Sequence, residues 1–293
     1  MLVLDIGGTK VAAARWVGGR LKDRRQWPMP PTPEAWGQTL ALMADVFTGV
    51  SRVAAAVTGL TDGRVWSAVN RQLISFWDGY ALADALTQVW QCPAILLNDA
   101  QAAAWGEFVA SDRQPDNLLF MTLSTGVGGG LVLDGLLRSG TRGLAGHIGH
   151  VASGLAPLDG DTQCGCGRLN CLEALASGTA LARQASHLLG RRLDAESVFA
   201  GWRAGDPVCS RLLERAAQAL AQALGDVHAL LDLDEVRLGG SVGLAPGMIE
   251  AIRQAQQTLP ARFRVPVSPA RLGADAGLIG VGHWASDGLG AFL

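Results

Sequence analysis

Lysine is almost missing from this 293-residue chain: Lys10 and Lys22 are the only two, and arginine supplies the rest of 24 basic residues against 26 acidic ones. A formal net charge of −2 and the lack of any basic run give no footing for nucleic acid as a partner. No apolar run is long enough to span a bilayer, and the opening MLVLDIGGTK has neither the basic start nor the cleavage site of a secretory signal. A cytoplasmic protein with no membrane partner is therefore expected. Charged residues make up 17% and hydrophobic ones 49%, which excludes a disordered chain. The length suits one large domain or two modest ones. Cysteine is sparse, with five in all, yet three fall in the eight positions of CGCGRLNC, residues 164–171. In a reducing compartment such a cluster points to metal before disulfides. Cys92 and Cys209 stand alone and read as small buried hydrophobes.

Residues 2–7 read as an apolar strand entering a glycine turn, and VAAARWVGGRLKDRRQW as short extended segments turning at Gly18-Gly19. After the proline-rich link PMPPTP, the spacing of Trp36, Leu40, Met43 and Phe47 predicts an amphipathic helix. RVAAAVTG and AILLND read as strands, and AQAAAWGEFVA as a helix. The pattern restarts with LLFMTLSTGVGGGLVLDG, again strand, glycine turn, strand. Helices follow around 172–189 and 207–231, then the strand EVRLGG and a closing helix from about residue 275. Both halves open on a glycine-rich hairpin, which suggests duplication with a boundary near residue 112. The expected division is a smaller α/β domain over 1–112 and a larger one over 113–274 carrying the cysteines. The final helix, within 275–293, is expected to pack back on the first domain.

DIGGTK (5–10) and STGVGGG (124–130) are candidate phosphate loops, because glycine lets backbone N–H groups approach an anion closely. Thr9, Ser124 and Thr125 add hydroxyls and Lys10 adds charge. Neither loop fits the Walker A or GxGxxG pattern, and plain turn chemistry remains the competing explanation. Asp5, ending the first strand, is placed to hold Mg²⁺ through water. A third turn, LGGSVG (238–243), could pack on a base or ribose. Three such turns in this order resemble the sugar kinase, Hsp70 and actin superfamily. That resemblance implies an α/β protein of two ribonuclease-H-like domains with an ATP and sugar cleft between them. The nucleotide contacts it implies are Asp5, Gly7, Gly8, Thr9, Lys10, Ser124, Thr125, Gly126, Gly128, Gly129, Gly239 and Gly240.

Upstream of the cysteines lies GLAGHIGHVASGLAPLDGDTQ. His150, Cys164, Cys166 and Cys171 make a His-Cys₃ set suited to tetrahedral Zn²⁺, with Gly165 and Gly167 allowing the C-x-C bend. Four protein ligands leave no open position, so one structural zinc is expected and a hydrolytic one is not. A disulfide is the alternative, but Cys164 and Cys166 are poorly placed to bridge each other. This spacing resembles the signature of the ROK family (repressors, open reading frames and kinases), a histidine followed by C-x-C-G-x-x-G-C-x-E, with Asn170 in place of the usual glycine. The likeness runs from DIGGTK to LGGSVG. The family's repressors carry an added N-terminal helix-turn-helix, whereas this sequence opens on the first phosphate strand, so a kinase is expected.

The resemblance implies that the zinc pins two sugar contacts, His150 and Glu173. It also implies that Asp99, where a strand meets a helix, is the catalytic base and that Asn98 binds sugar hydroxyls. From residues alone Asp99 reads first as a helix N-cap. An ionised carboxylate can orient an alcohol toward the γ-phosphate and take its proton. Thr58-Gly59 and Asn70 are further positions where the family lines its sugar cleft. His147 stands where the family motif G-E-x-G-H has glutamate, so a pure acceptor gives way to a group that can also donate. A lone histidine is more often structural. With that histidine, NDAQAAAWGEF, GLAGHIGHV, EALASG and GGSVGLA are similar to the bacterial family members that act on N-acetylmannosamine. The implied reaction is transfer from Mg-ATP to the sugar's 6-hydroxyl, in sialic acid breakdown, by a homodimer. The alternatives are a glucokinase or N-acetylglucosamine kinase of the family, and a sugar sensor without catalysis.

Overall fold

The computed structural model describes residues 1–69 and 78–288, which divide into two compact units. The first holds Met1–Gln114, Leu137–Ala145 and the chain from Ala274 onward, and the second holds Pro115–Leu136 and Gly146–Gly273.

In the first unit the chain runs β1 (Leu2–Ile6), β2 (Lys10–Val17), β3 (Arg20–Pro28), α1 (Pro33–Val46), β4 (Val53–Val57), β5 (Leu60–Thr61), β6 (Trp66–Ser67), α2 (Leu82–Trp90), β7 (Ala94–Asn98) and α3 (Asp99–Val109). One sheet has the order β3-β2-β1-β4-β7. β1 is antiparallel to β2 and parallel to β4, which is parallel to β7. Helices cover both faces, so β1 and β4 are nearly unbroken apolar runs. Leu2, Leu4 and Ile6 pack with Trp36, Leu40, Met43 and Phe47, the stripe that helical spacing anticipates. α1 starts cleanly because the Thr32 hydroxyl accepts the Ala35 N–H and Pro33 fits the first turn.

The second unit continues with β8 (Leu118–Leu123), β9 (Val127–Leu133), β10 (Leu136–Arg138), α4 (Leu172–Ala176), α5 (Gly178–Leu189), α6 (Ala195–Arg203), α7 (Pro207–Leu231), β11 (Glu235–Gly239), α8 (Met248–Gln256) and β12 (Val267–Pro269). Its sheet runs β10-β9-β8-β11-β12, with β8 antiparallel to β9 and parallel to β11. Each sheet therefore repeats one plan: hairpin, central strand, then two parallel strands. Leu119, Met121 and Leu123 join Leu212, Leu213, Leu220 and Leu224 of α7 in its core. The last helix, α9 (Ala276–Ser286), belongs to the first unit and packs on α3.

Three features depart from expectation. The helix anticipated over 172–189 breaks at Ser177, which ends α4 and caps α5 by accepting the Ala180 N–H. α2, α6, α8 and β12 were not anticipated. α2 and α8 lack a side-chain N-cap, and α8 starts at Gly247 with φ of 92°. Residues 137–145, expected within the second domain, belong to the first unit. There the buried Gln101 amide donates to the carbonyls of Ser139, Gly143 and Ala145 at 3.3, 3.1 and 2.9 Å.

Candidate active site

In the first unit the candidate chemistry gathers at the carboxyl ends of the parallel strands, where open α/β sheets bind ligands. Asp5 is the next-to-last residue of β1, Thr58 and Gly59 follow β4, and Asn98 closes β7. The turn after β1 is open. Gly7 N–H donates to the Lys10 carbonyl at 3.0 Å and Met29 N–H to the Thr9 carbonyl at 2.9 Å. Gly8, Thr9 and Lys10 are exposed, and nothing lies within 4 Å of where a Gly8 Cβ would stand.

The helix cap belongs to Asn98, whose Oδ1 accepts the Gln101 N–H at 3.0 Å. Its Nδ2 donates to the Gly59 carbonyl at 2.8 Å and to Asp99 Oδ1 at 3.1 Å. Both amide hydrogens are thus engaged, and Asn98 acts here by holding Asp99 and Gly59. Asp99 is relieved of capping and sits at the first helical position, accepting the Ala100 N–H at 2.8 Å. Burial pushes its pKa from 3.8 to about 6, against hydrogen bonds from Ala100, Thr58 and Asn98 that favour the ionised form. It is a weak acid poised to accept a proton near neutrality. Burial, and then the Asp99 charge, push Asp5 from 3.8 to about 7, opposed by Lys10. Room for this carboxylate depends on Gly277, since a Cβ there would stand 2.9 Å from Asp5 Oδ2. Arg24 and Asp275 pair at 2.6 Å, and both charges act on Asp5.

The turn after β8 is enclosed. Val242 and Gly243 N–H donate to the Leu123 carbonyl at 3.0 and 3.1 Å, and Gly178 N–H to the Ser124 carbonyl at 2.7 Å. Thr179 N–H donates to the Thr125 carbonyl at 3.4 Å, and Val127 N–H to Glu173 Oε2 at 2.9 Å. The N–H groups of Thr125 and Gly126 make no hydrogen bond among the described residues and remain as donors for an anion.

Several glycines expected at the nucleotide have protein neighbours that explain them. Gly128 and Gly129 lie inside β9, and a Gly129 Cβ would stand 2.6 Å from the Gly146 carbonyl. A Gly239 Cβ would meet the Phe120 ring at 3.0 Å, and one on Gly240, with φ of 82°, would overlap the Leu123 carbonyl. LGGSVG thus clasps the end of β8. A Gly59 Cβ would stand 2.6 Å from the Ser67 carbonyl. Asn70 lies outside the described residues.

His150, Cys164, Cys166 and Cys171 come together, all ligand atoms within 4.8 Å of one another. His150 Nδ1 lies 3.6 Å from Cys164 Sγ, and Cys166 Sγ 3.6 Å from Cys171 Sγ. A tetrahedral ion about 2.3 Å from sulfur and about 2.0 Å from nitrogen sets its donors roughly 3.5–3.8 Å apart, so the set fits zinc. All five cysteines are free of disulfides. Burial raises the Cys164 and Cys171 thiols, and a bound cation supplies what holds them as thiolates. Gly167 takes φ of 90° and Asn170 φ of 50°. Asparagine tolerates that left-handed geometry, and its side chain accepts the Thr162 N–H at 2.9 Å and donates to Asp161 at 2.8 Å. That explains the replacement of the family's glycine. The His147 and His150 rings stack with centroids 6.3 Å apart.

Gln101 and Gly277 escaped the sequence reading. Gln101 sits in an alanine-rich helix with nothing local to mark it, and Gly277 acts across the fold.

Repeated sheets, paired glycine hairpins and a His-Cys₃ loop define a class, and the comparison with known proteins states it: a ROK family model matches residues 1–287, and the chain belongs to that family. Among curated relatives, the N-acetylmannosamine kinase of Yersinia pseudotuberculosis serotype O:1b (strain IP 31758) is 42% identical, covering 98% of this chain and 99% of its own. The crystal structure of a ROK hexokinase from Thermus thermophilus superposes with a TM-score of 0.80 at 35% identity, over 96% of this chain and 97% of that one. A ROK family glucokinase from Streptomyces griseus, in complex with glucose and AMPPNP, gives 0.80 at 29%, over 98% and 99%.

Proposed function

We propose that this protein transfers the γ-phosphoryl group of ATP to the 6-hydroxyl of N-acetyl-D-mannosamine, giving N-acetylmannosamine 6-phosphate and ADP, a step of sialic acid breakdown. The observation that carries this is the near full-length identity with an N-acetylmannosamine kinase. His147 supports it, standing where other family members have glutamate.

Asp99 is the base. Its carboxylate, fixed by Asn98 and the Ala100 N–H, orients the 6-hydroxyl and accepts its proton as that oxygen bonds to phosphorus and the bond to the ADP oxygen breaks. Asp5 would hold Mg²⁺, which would neutralise phosphate charge. Lys10 and the N–H groups of Thr125 and Gly126 serve phosphate oxygens. His147, His150 and Glu173 are the proposed sugar contacts, with Gly59 and Asn70 beside them and Asn98 serving through its hold on Asp99 and Gly59. His150 and the three cysteines would hold zinc, which would fix the loop carrying His150 and Glu173. The protein acts in the cytoplasm as a homodimer, which sedimentation checks.

The test is kcat/KM from ADP release with N-acetylmannosamine, N-acetylglucosamine, glucose, mannose and fructose. N-acetylmannosamine is expected to lead. A lead for glucose or N-acetylglucosamine sinks the substrate assignment and the weight given to His147. No turnover of zinc-loaded protein with any sugar favours a sensor.

A further inference from the structure

Glu173 does something here that a sugar contact does not require. It is the second residue of α4, two positions beyond Cys171, and its carboxylate lies on the turn after β8. Oε2 accepts the Val127 N–H at 2.9 Å, and Oε1 lies 3.7 Å from Cys164 Sγ. The fit is close: a Cβ on Gly126 would stand 2.7 Å from Oε2. The other anchors of Ser124–Val127 are main-chain bonds from the start of α5, to the Ser124 and Thr125 carbonyls, while the segment after β11 bonds Leu123 just before the turn. Glu173 supplies a side-chain anchor, and it comes from the metal loop.

We infer that Glu173 is a positioning residue for the nucleotide, bracing the Ser124–Val127 turn so that the Thr125 and Gly126 N–H groups are held ready for a phosphate. This rests on the proposed phosphate role of that turn. The metal loop then organises the nucleotide end as well as the sugar end of the reaction. Without the carboxylate, the Val127 N–H loses its acceptor and the turn loses its support beside Gly126. The turn then samples more conformers, and ordering them on binding weakens affinity.

The readout is the dissociation constant of Mg-ADP measured by calorimetry with no sugar present, so that loss of a sugar contact cannot affect it. Zinc content and thermal midpoint are recorded for each variant. Glu173→Ala is expected to weaken Mg-ADP about tenfold, as loss of a hydrogen bond to a charged acceptor predicts. Glu173→Gln keeps an acceptor and is expected to stay within about threefold of wild type. Gly126→Ala attacks the same contact from the other side and serves if Glu173→Ala folds poorly. The Glu173→Ala/Gly126→Ala double variant is expected to bind no more weakly than the worse single one, because both remove one interaction.

Unchanged affinity in Glu173→Ala overturns the inference. So does tighter binding, which would mark the carboxylate as repelling phosphate. Glutamine no better than alanine, or additive effects in the double variant, also contradicts it. Wild-type protein that binds no Mg-ADP contradicts instead the phosphate role of the turn.

Discussion

The turn after β1 hangs on two main-chain hydrogen bonds and leaves Gly8, Thr9 and Lys10 in solvent. The turn after β8 is gripped by α5, by the segment after β11 and by Glu173 from the metal loop. Both follow the first strand of the same sheet plan, and both are glycine-rich. In the first, Gly8 has open space around it. In the second, Gly126 and Gly129 let other parts of the protein come close. The first unit therefore carries the groups that titrate, Asp5 and Asp99, and the second carries fixed donors and a metal loop. Glycine content alone does not say which kind of turn a hairpin holds; the neighbours decide.

The largest effect should fall on the titrating side. Asp99→Asn is expected to lower kcat about 10²–10⁴-fold, the usual worth of general base catalysis, with the KM for sugar nearly unchanged and zinc content intact. Steady-state kinetics with metal analysis checks this; near wild-type turnover would remove Asp99 from the role of base. Next comes the metal side. Stripping zinc, or Cys164→Ser, is expected to lower the thermal midpoint by on the order of 10 °C, because binding energy of a structural metal is folding energy. Sugar affinity should fall with it. Loss of turnover with fold and sugar binding intact would point to a catalytic metal.

The sharpest contrast between the turns is a pair of alanine substitutions. A Cβ on Gly149 would overlap the Val127 carbonyl, whereas one on Gly8 meets nothing within 4 Å. Gly149→Ala should cost about 2–3 kcal/mol by overpacking, and Gly8→Ala should stay within about 0.5 kcal/mol while raising the KM for ATP. Urea unfolding of both variants measures this. Equal costs would erase the distinction between open and enclosed turns.

The smallest effect concerns pH. Asp5 and Asp99 titrate at about 7 and about 6 in the folded protein, against an ordinary 3.8. Between those values the folded state holds more protons than the unfolded one. Their contribution is therefore fully present below about pH 4 and is lost as pH rises through 6 to 7. Asp5→Asn should gain about 2 kcal/mol at about pH 8 and little at about pH 4, while losing activity. Denaturation at both pH values tests the sign. On the same basis kcat/KM should fall on its acid side with a midpoint near the Asp99 value of about 6.

What the sequence discloses depends on how local the cause is. α1 is legible because its stripe and its Thr32-Pro33 start lie within one stretch. The metal set is legible because three ligands crowd into eight residues and the fourth lies 14 residues before the first of them. α8 is not, since it begins on Gly247 without a capping side chain. The long-range holds made by Gln101 and Glu173 are read only from the fold. One holds carbonyls 38 to 44 residues away, and the other an N–H 46 residues away. Asp99 was ambiguous because a cap and a base look alike at a strand–helix junction, and the Asn98 side chain resolves who caps.

The most direct test of the account is the product itself. N-acetylmannosamine and Mg-ATP are incubated with wild-type protein and with Asp99→Asn, and phosphorus and carbon NMR follow the mixture. The account predicts a single 6-phosphate formed in step with ADP by wild type and almost none by the variant. A phosphate at another position, ADP without phosphosugar, or an equal rate from Asp99→Asn would contradict it.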